Sequence, residues 1–175
     1  AVGICLERTL LVSMAAVGVV AIQGLWSLDL LSTLAGRPLV GMTGYMLSDA
    51  LPMTKRLLSL FHAWLPLVLL FAVWRLGYRK EALAAWTLLA WAVLLMSYFL
   101  LAAPPAPPGD PHSSVNVNYV HGLRNSGPQT HMPGWLWLTG MMLALPTFLF
   151  YPTHLLLMRW FSRPAQRCLK SSGVN

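Results

Sequence analysis

Residues 82–102 read ALAAWTLLAWAVLLMSYFLLA, a stretch without a single charged side chain. Crossing about 30 Å of hydrocarbon takes roughly 20 apolar residues in helical form, so this stretch predicts a membrane-crossing helix. Its Leu, Ala and Val residues follow one another without the alternation of a half-buried strand, which selects a helix over a closed barrel. Working outward, three further apolar runs occur at Thr9–Leu28, Leu57–Trp74 and Trp135–Met158. The expected fold is an all-α integral membrane protein, a single polytopic domain over residues 1–175 with four transmembrane helices.

Composition points the same way. Hydrophobic residues make up 57% of the 175 positions, charged residues 10%, and mean hydropathy is +0.61. A soluble domain carries about 25% charge, so this chain lacks the polar surface to cover itself in water. The net charge of +7 is accounted for by its placement. Four spans put both termini on one side, together with Arg8, Arg75, Arg79, Lys80, Arg159, Arg163, Arg167 and Lys170; the other side holds Arg37, Lys55, Arg56 and Arg124. Basic residues stay cytoplasmic, so the termini are expected inside a bacterial-type inner membrane. The lipid bilayer is the partner this charge implies, and no nucleic acid is expected.

Cys5 and Cys168 then face a reducing compartment, where a disulfide is not expected. The run following Arg8 is too long for the apolar core of a signal peptide and reads as a retained span. The chain opens on Ala1 rather than Met, so a few residues are expected to precede it. Trp74, Tyr78 and Trp86 are expected at the inner interface, and Tyr98, Trp135 and Trp137 at the outer one.

Between spans one and two lies the mixed segment Asp29–Arg56, too polar and too broken by Gly and Pro to cross. An interfacial helix over Leu39–Leu51 is its expected form. Pro66 in span two, and Pro146 and Pro152 in span four, predict bent helices whose freed carbonyls need outside donors. Spans three and four are joined by the long, proline-rich outer loop Ala103–Gly134. Its prolines, Pro104 to Pro111, predict an extended strut, and Val115–Val120, VNVNYV, alternates like a short strand.

Any chemistry concentrates in that loop. His62, His112, His121 and His131 are expected near the outer face, while His154 lies about 28 Å further along its helix. Imidazole suits zinc, copper and iron, and thioether sulfur suits Cu(I). His62, His112, His121, His131 and Met132 are therefore the metal candidates, with copper or haem as the cofactor alternatives to none at all. The spacing is loose, without a helical i, i+3 or i, i+4 pair. For catalysis, His121 is the candidate base, Arg124 a phosphate clamp and His131 a third participant. No Pro-Ser-Gly-His, His-x4-Asp, Gly-x-Ser-x-Gly or HExxH element accompanies them. His154 in YPTH invites a proton-relay or quinone reading, against which stands its position near the inner interface. A transport path would need polarity at mid-depth, and spans three and four offer only Thr87, Ser97, Thr139 and Thr147, with no acidic residue inside any span. The expected role is that of a non-enzymatic scaffold or accessory subunit, with a protein partner or oligomer contacted by Asn116, Asn118, Tyr119 and Arg124. The alternative is an outer-face metal, haem or lipid-acting site.

Overall fold

The computed structural model describes residues 2–47, 52–107, 115–123 and 127–161, with side chains from Arg8 onward. All regular structure among the described residues is helical: α1 (Val2–Leu34), α2 (Met53–Leu58), α3 (Phe61–Leu76), α4 (Ala82–Leu100), α5 (Gly134–Ala144) and α6 (Tyr151–Phe161), with a π-helical stretch at Leu145–Phe150 joining the last two. Four helical stretches are long and apolar enough to cross a membrane: Arg8–Leu34, Met53–Leu76, Ala82–Leu100 and Gly134–Phe161. Two compact units result, Ala1–Leu83 with Tyr151–Asn175, and Ala84–Phe150.

In the first unit α1 packs against α3 and, less extensively, α6. Ser13, Ala16 and Val17 are fully buried, a one-turn spacing that places them on one face. Small side chains here let neighbouring backbones approach closely, and Val73 on α3 is likewise fully buried. The first helix runs six residues past its expected end, so Asp29 lies inside it rather than beyond it. An acidic residue therefore does stand inside a candidate span, against the sequence expectation. Its carboxylate organises the chain that follows, and this replaces most of the interfacial helix expected over Leu39–Leu51. Only Gly44–Leu47 forms a turn of 3-10 helix; residues 48–51 lie outside the described residues. The amides of Val40, Gly41 and Thr43 bind Asp29 instead, and so are withdrawn from helical pairing.

The carbonyls vacated by two of the prolines find donors, as proline chemistry demands. Pro66 has no N–H to give to the carbonyl four residues earlier, which is that of His62. Ser27 Oγ of α1 donates to His62 O at 3.3 Å, while also lying 2.9 Å from Gln23 O. In the second unit Pro146 leaves Met142 O without its helical donor, and the indole Nε1 of Trp91 on α4 donates to it at 2.7 Å. Trp91 is thus a structural donor. The widened turn at Leu145–Phe150 contains Pro146 and ends two residues before Pro152; single π turns commonly absorb such a break in the α ladder.

The core of the second unit contains Leu94, Val120 and Leu138, with Tyr98, Met141, Met142 and Leu145 packed against them. Val120 comes from the loop, so the loop folds back onto its own helices. The described part of the proline segment is not a strut leading away: Asn116 N donates to Ala102 O at 3.0 Å. Nor does VNVNYV form a strand. Val117–Tyr119 is a 3-10 turn, with Asn116, Asn118 and Tyr119 at positive φ. Asparagine tolerates this left-handed region better than most residues, and here its side chains also find fixed partners.

Candidate functional site

The described part of the loop is built by amide side chains turned inward. Asn116, only 3% exposed, donates through Nδ2 to Gly122 O at 2.8 Å and accepts from His121 N through Oδ1 at 2.9 Å. Asn118 Nδ2 donates to Ser97 Oγ at 2.8 Å, tying the turn to the end of α4. Trp137 Nε1 on α5 donates to Tyr119 O at 3.0 Å, so this tryptophan too has a bonded role. Two glycines make the fit possible. Gly122 sits at φ 128, and a Cβ there would lie 2.9 Å from Gln129 Cβ. A Cβ on Gly134 would meet the Tyr98 hydroxyl at 2.7 Å.

Gln129 closes the next turn. Its N donates to His121 O at 2.8 Å, its Oε1 accepts from the amides of His131 and Met132, and its Nε2 donates to Met132 O at 2.7 Å. The His121 ring stacks on Tyr98 with centroids 5.0 Å apart. Its Nε2 is buried and has no hydrogen-bond partner among the described residues. His131 is exposed and lines an open groove of about 540 Å³ with Leu123, Gly127, Pro128, Gln129, Thr130 and Trp137. His121 is not among that lining. His112 and Arg124 lie outside the described residues. Of the expected partner contacts, Asn116 is engaged within the loop, Asn118 is engaged with Ser97 of α4, and Tyr119 is exposed.

His62 belongs to the first unit. Its Nδ1 is hydrogen-bonded to Gln23 Oε1, and its ring packs beside those of Trp26 and Phe61. Among the described residues no group of three or more His, Cys, Asp or Glu side chains is placed to hold a metal ion.

Two further polar sites lie in the first unit. Asp29, with no exposed surface, accepts four hydrogen bonds: Val40 N at 2.6 Å and Gly41 N at 2.9 Å on Oδ1, Thr43 N at 2.9 Å and Thr43 Oγ1 at 2.8 Å on Oδ2. Thr33 and Thr43 hydroxyls bond each other at 2.9 Å. The donors compensate the desolvated charge, as a buried carboxylate requires. Sequence reasoning missed this centre because an acid closing an apolar run reads as the end of a span. The usable signal was the Gly-rich chain after it, a supply of free amides.

At the other site the Tyr78 hydroxyl pairs with His154 Nδ1 at 2.6 Å, both side chains buried. Tyr78 N donates to Phe161 O and Arg79 N to Ser13 Oγ, so the turn after α3 is tied to α1 and α6. Burial pushes the Tyr78 phenol above its ordinary pKa. Close by, the hydrogen bond from Arg79 holds the Glu81 carboxyl below its usual range. His154 therefore has a fixed phenol partner within its own unit.

Set against protein-family models, curated proteins and solved structures, the chain matches none of them.

Proposed function

We propose that this chain is a multi-pass protein of a bacterial-type inner membrane, with both termini cytoplasmic, acting without catalysis as a scaffold or accessory subunit. Its outer loop docks a partner. The membrane reading is supported by the four candidate spans, of which two bury only 11% of their most apolar window within the chain. Leu67, Phe71, Leu88 and Phe99 are more than half exposed, a surface that suits lipid. The excess of Arg and Lys on the terminal side supports the orientation.

The observation that carries the docking role is how the loop spends its polar groups. Asn116, Asn118 and Gln129 are used to fix its shape, while Tyr119 at 53%, Leu123 at 75% and Trp135 at 64% stay exposed. An ordered platform presenting aromatic and aliphatic side chains has the composition of an interface centre. Because this rim borders the ends of α4 and α5, the partner suited to it is another membrane-embedded protein, or a second copy of this chain.

A photo-crosslinker at Leu123 tests this, with a control crosslinker at Phe71. One discrete adduct from position 123, weakened by Tyr119→Ala and not formed from position 71, is the expected result. A protein that remains solitary in mild detergent, with no adduct specific to the loop, removes the scaffold reading.

The buried, unpartnered Nε2 of His121 favours a second reading, an outer-face site for copper, haem or a lipid substrate using His121 with His131. Metal analysis and an absorption spectrum of the purified protein distinguish it; metal-free, colourless material rules out copper and haem.

A further inference from the structure

We infer that the groove beside α5 is a binding site for a saccharide ring, either free or as the head group of a glycolipid. This goes beyond the docking role and does not depend on it. The volume of about 540 Å³ lies within the range of small-molecule sites, roughly 300–1,000 Å³. One wall is the indole of Trp137, locked in orientation by its bond to Tyr119 O. Another is the turn at Gln129, fixed by its bonds to residues 131 and 132. A site whose walls are held before the ligand arrives spends little of its binding energy on ordering them.

What those walls offer defines the ligand class. The electron-rich face of an aromatic ring attracts the weakly positive C–H groups of an apolar ring face. Around it stand two polar side chains with no hydrogen bond among the described residues, the hydroxyl of Thr130 and the imidazole of His131, each able to donate and accept. Leu123 and Pro128 add apolar contact. Among the described residues the lining brings no carboxylate, ammonium or guanidinium group. An indole edged by uncharged donors and acceptors fits a ring with one C–H face and hydroxyls at its rim. The groove adjoins the first turns of α5, the start of a candidate span, and a glycolipid head group would meet it there.

The test uses the full chain in phosphatidylcholine nanodiscs, free of sugar-based detergent. One arm adds monoglucosyldiacylglycerol and phosphatidylglycerol in equal amounts and counts each retained lipid by native mass spectrometry. The other titrates methyl glucoside and reads saturation transfer by NMR. Glucolipid retention alone assigns the head group as the source; transfer to methyl glucoside as well assigns the free sugar too. In either case His131→Ala and Thr130→Ala should each weaken binding about fivefold, the loss of one hydrogen bond. Both side chains are exposed and have no hydrogen bond among the described residues, so folding is expected to be preserved. Trp137→Ala should weaken it further. Absence of binding in both arms overturns the inference. So does binding unchanged in all three variants, or preferential retention of phosphatidylglycerol over the glucolipid.

Discussion

The two units face one problem and answer it with different chemistry. Each contains a helix in which proline vacates a carbonyl, and each imports a donor from a neighbouring helix. In the first unit the donor is the Ser27 hydroxyl, 3.3 Å from His62 O and with a second acceptor in Gln23 O. In the second it is the Trp91 indole, 2.7 Å from Met142 O. A hydroxyl has one proton to share between two acceptors, whereas the indole has one proton and one acceptor here. The serine contact is the weaker, and the first unit leans on another device, the carboxylate of Asp29. Polar groups within apolar helices are affordable when their partners are built in, but the strength of the partner varies widely.

That contrast orders the expected losses. Asp29→Asn replaces an acceptor with a donor opposite a row of N–H groups, and should cost the most, lowering the unfolding midpoint on the order of 10 °C. Circular dichroism on heating in mild detergent reads it, and a midpoint within a degree of wild type would remove Asp29 as the organiser of residues 40–43. Trp91→Phe keeps the ring and deletes the N–H, leaving Met142 O unpaired; a fall of roughly 4 °C is expected by the same measurement. Its loss should vanish in a Pro146→Ala background, where a backbone amide takes over. A full loss persisting there means that Trp91 acts by packing alone.

Ser27→Ala should cost only about 1–2 °C, and less still alongside Pro66→Ala, because the shared proton makes it the weaker of the two. An effect larger than that of Trp91→Phe would invert the comparison. The smallest expected effect is seen in alkali. The buried phenol of Tyr78 has a pKa raised above its unfolded value, so its contribution is complete below about pH 10. It is lost as pH rises further, through the folded pKa. Spectroscopic titration should find a tyrosine step above the ordinary range, and Tyr78→Phe should abolish that late step.

The apolar runs announced the helices, and α4 was readable nearly to the residue because Ala82–Leu100 contains no competing signal. The vacated carbonyls were legible too, since proline fixes them at four residues back. Their donors were not, because a tryptophan in a lipid-soluble sequence reads as an anchor until a neighbouring helix places an oxygen beside it. VNVNYV shows the opposite failure. Its alternation is genuine, but the asparagines adopt positive φ and bond Gly122 O and Ser97 Oγ, contacts fixed only by the returning chain. Within the candidate site, Tyr119 was named from the sequence as a partner contact, and the fold leaves it exposed. The groove was not, because it depends on how Trp137 and Gln129 are clamped.

The Asp29 cradle has a consequence for biosynthesis. A ribosome delivers the acid first, and its four donors emerge 11 to 14 residues later. At about 5–20 residues per second, the negative charge waits a few seconds at most for its companions. A helix carrying it can therefore enter the insertion machinery almost together with the segment whose donors stabilise it, and a long insertion between Asp29 and Val40 would extend that wait.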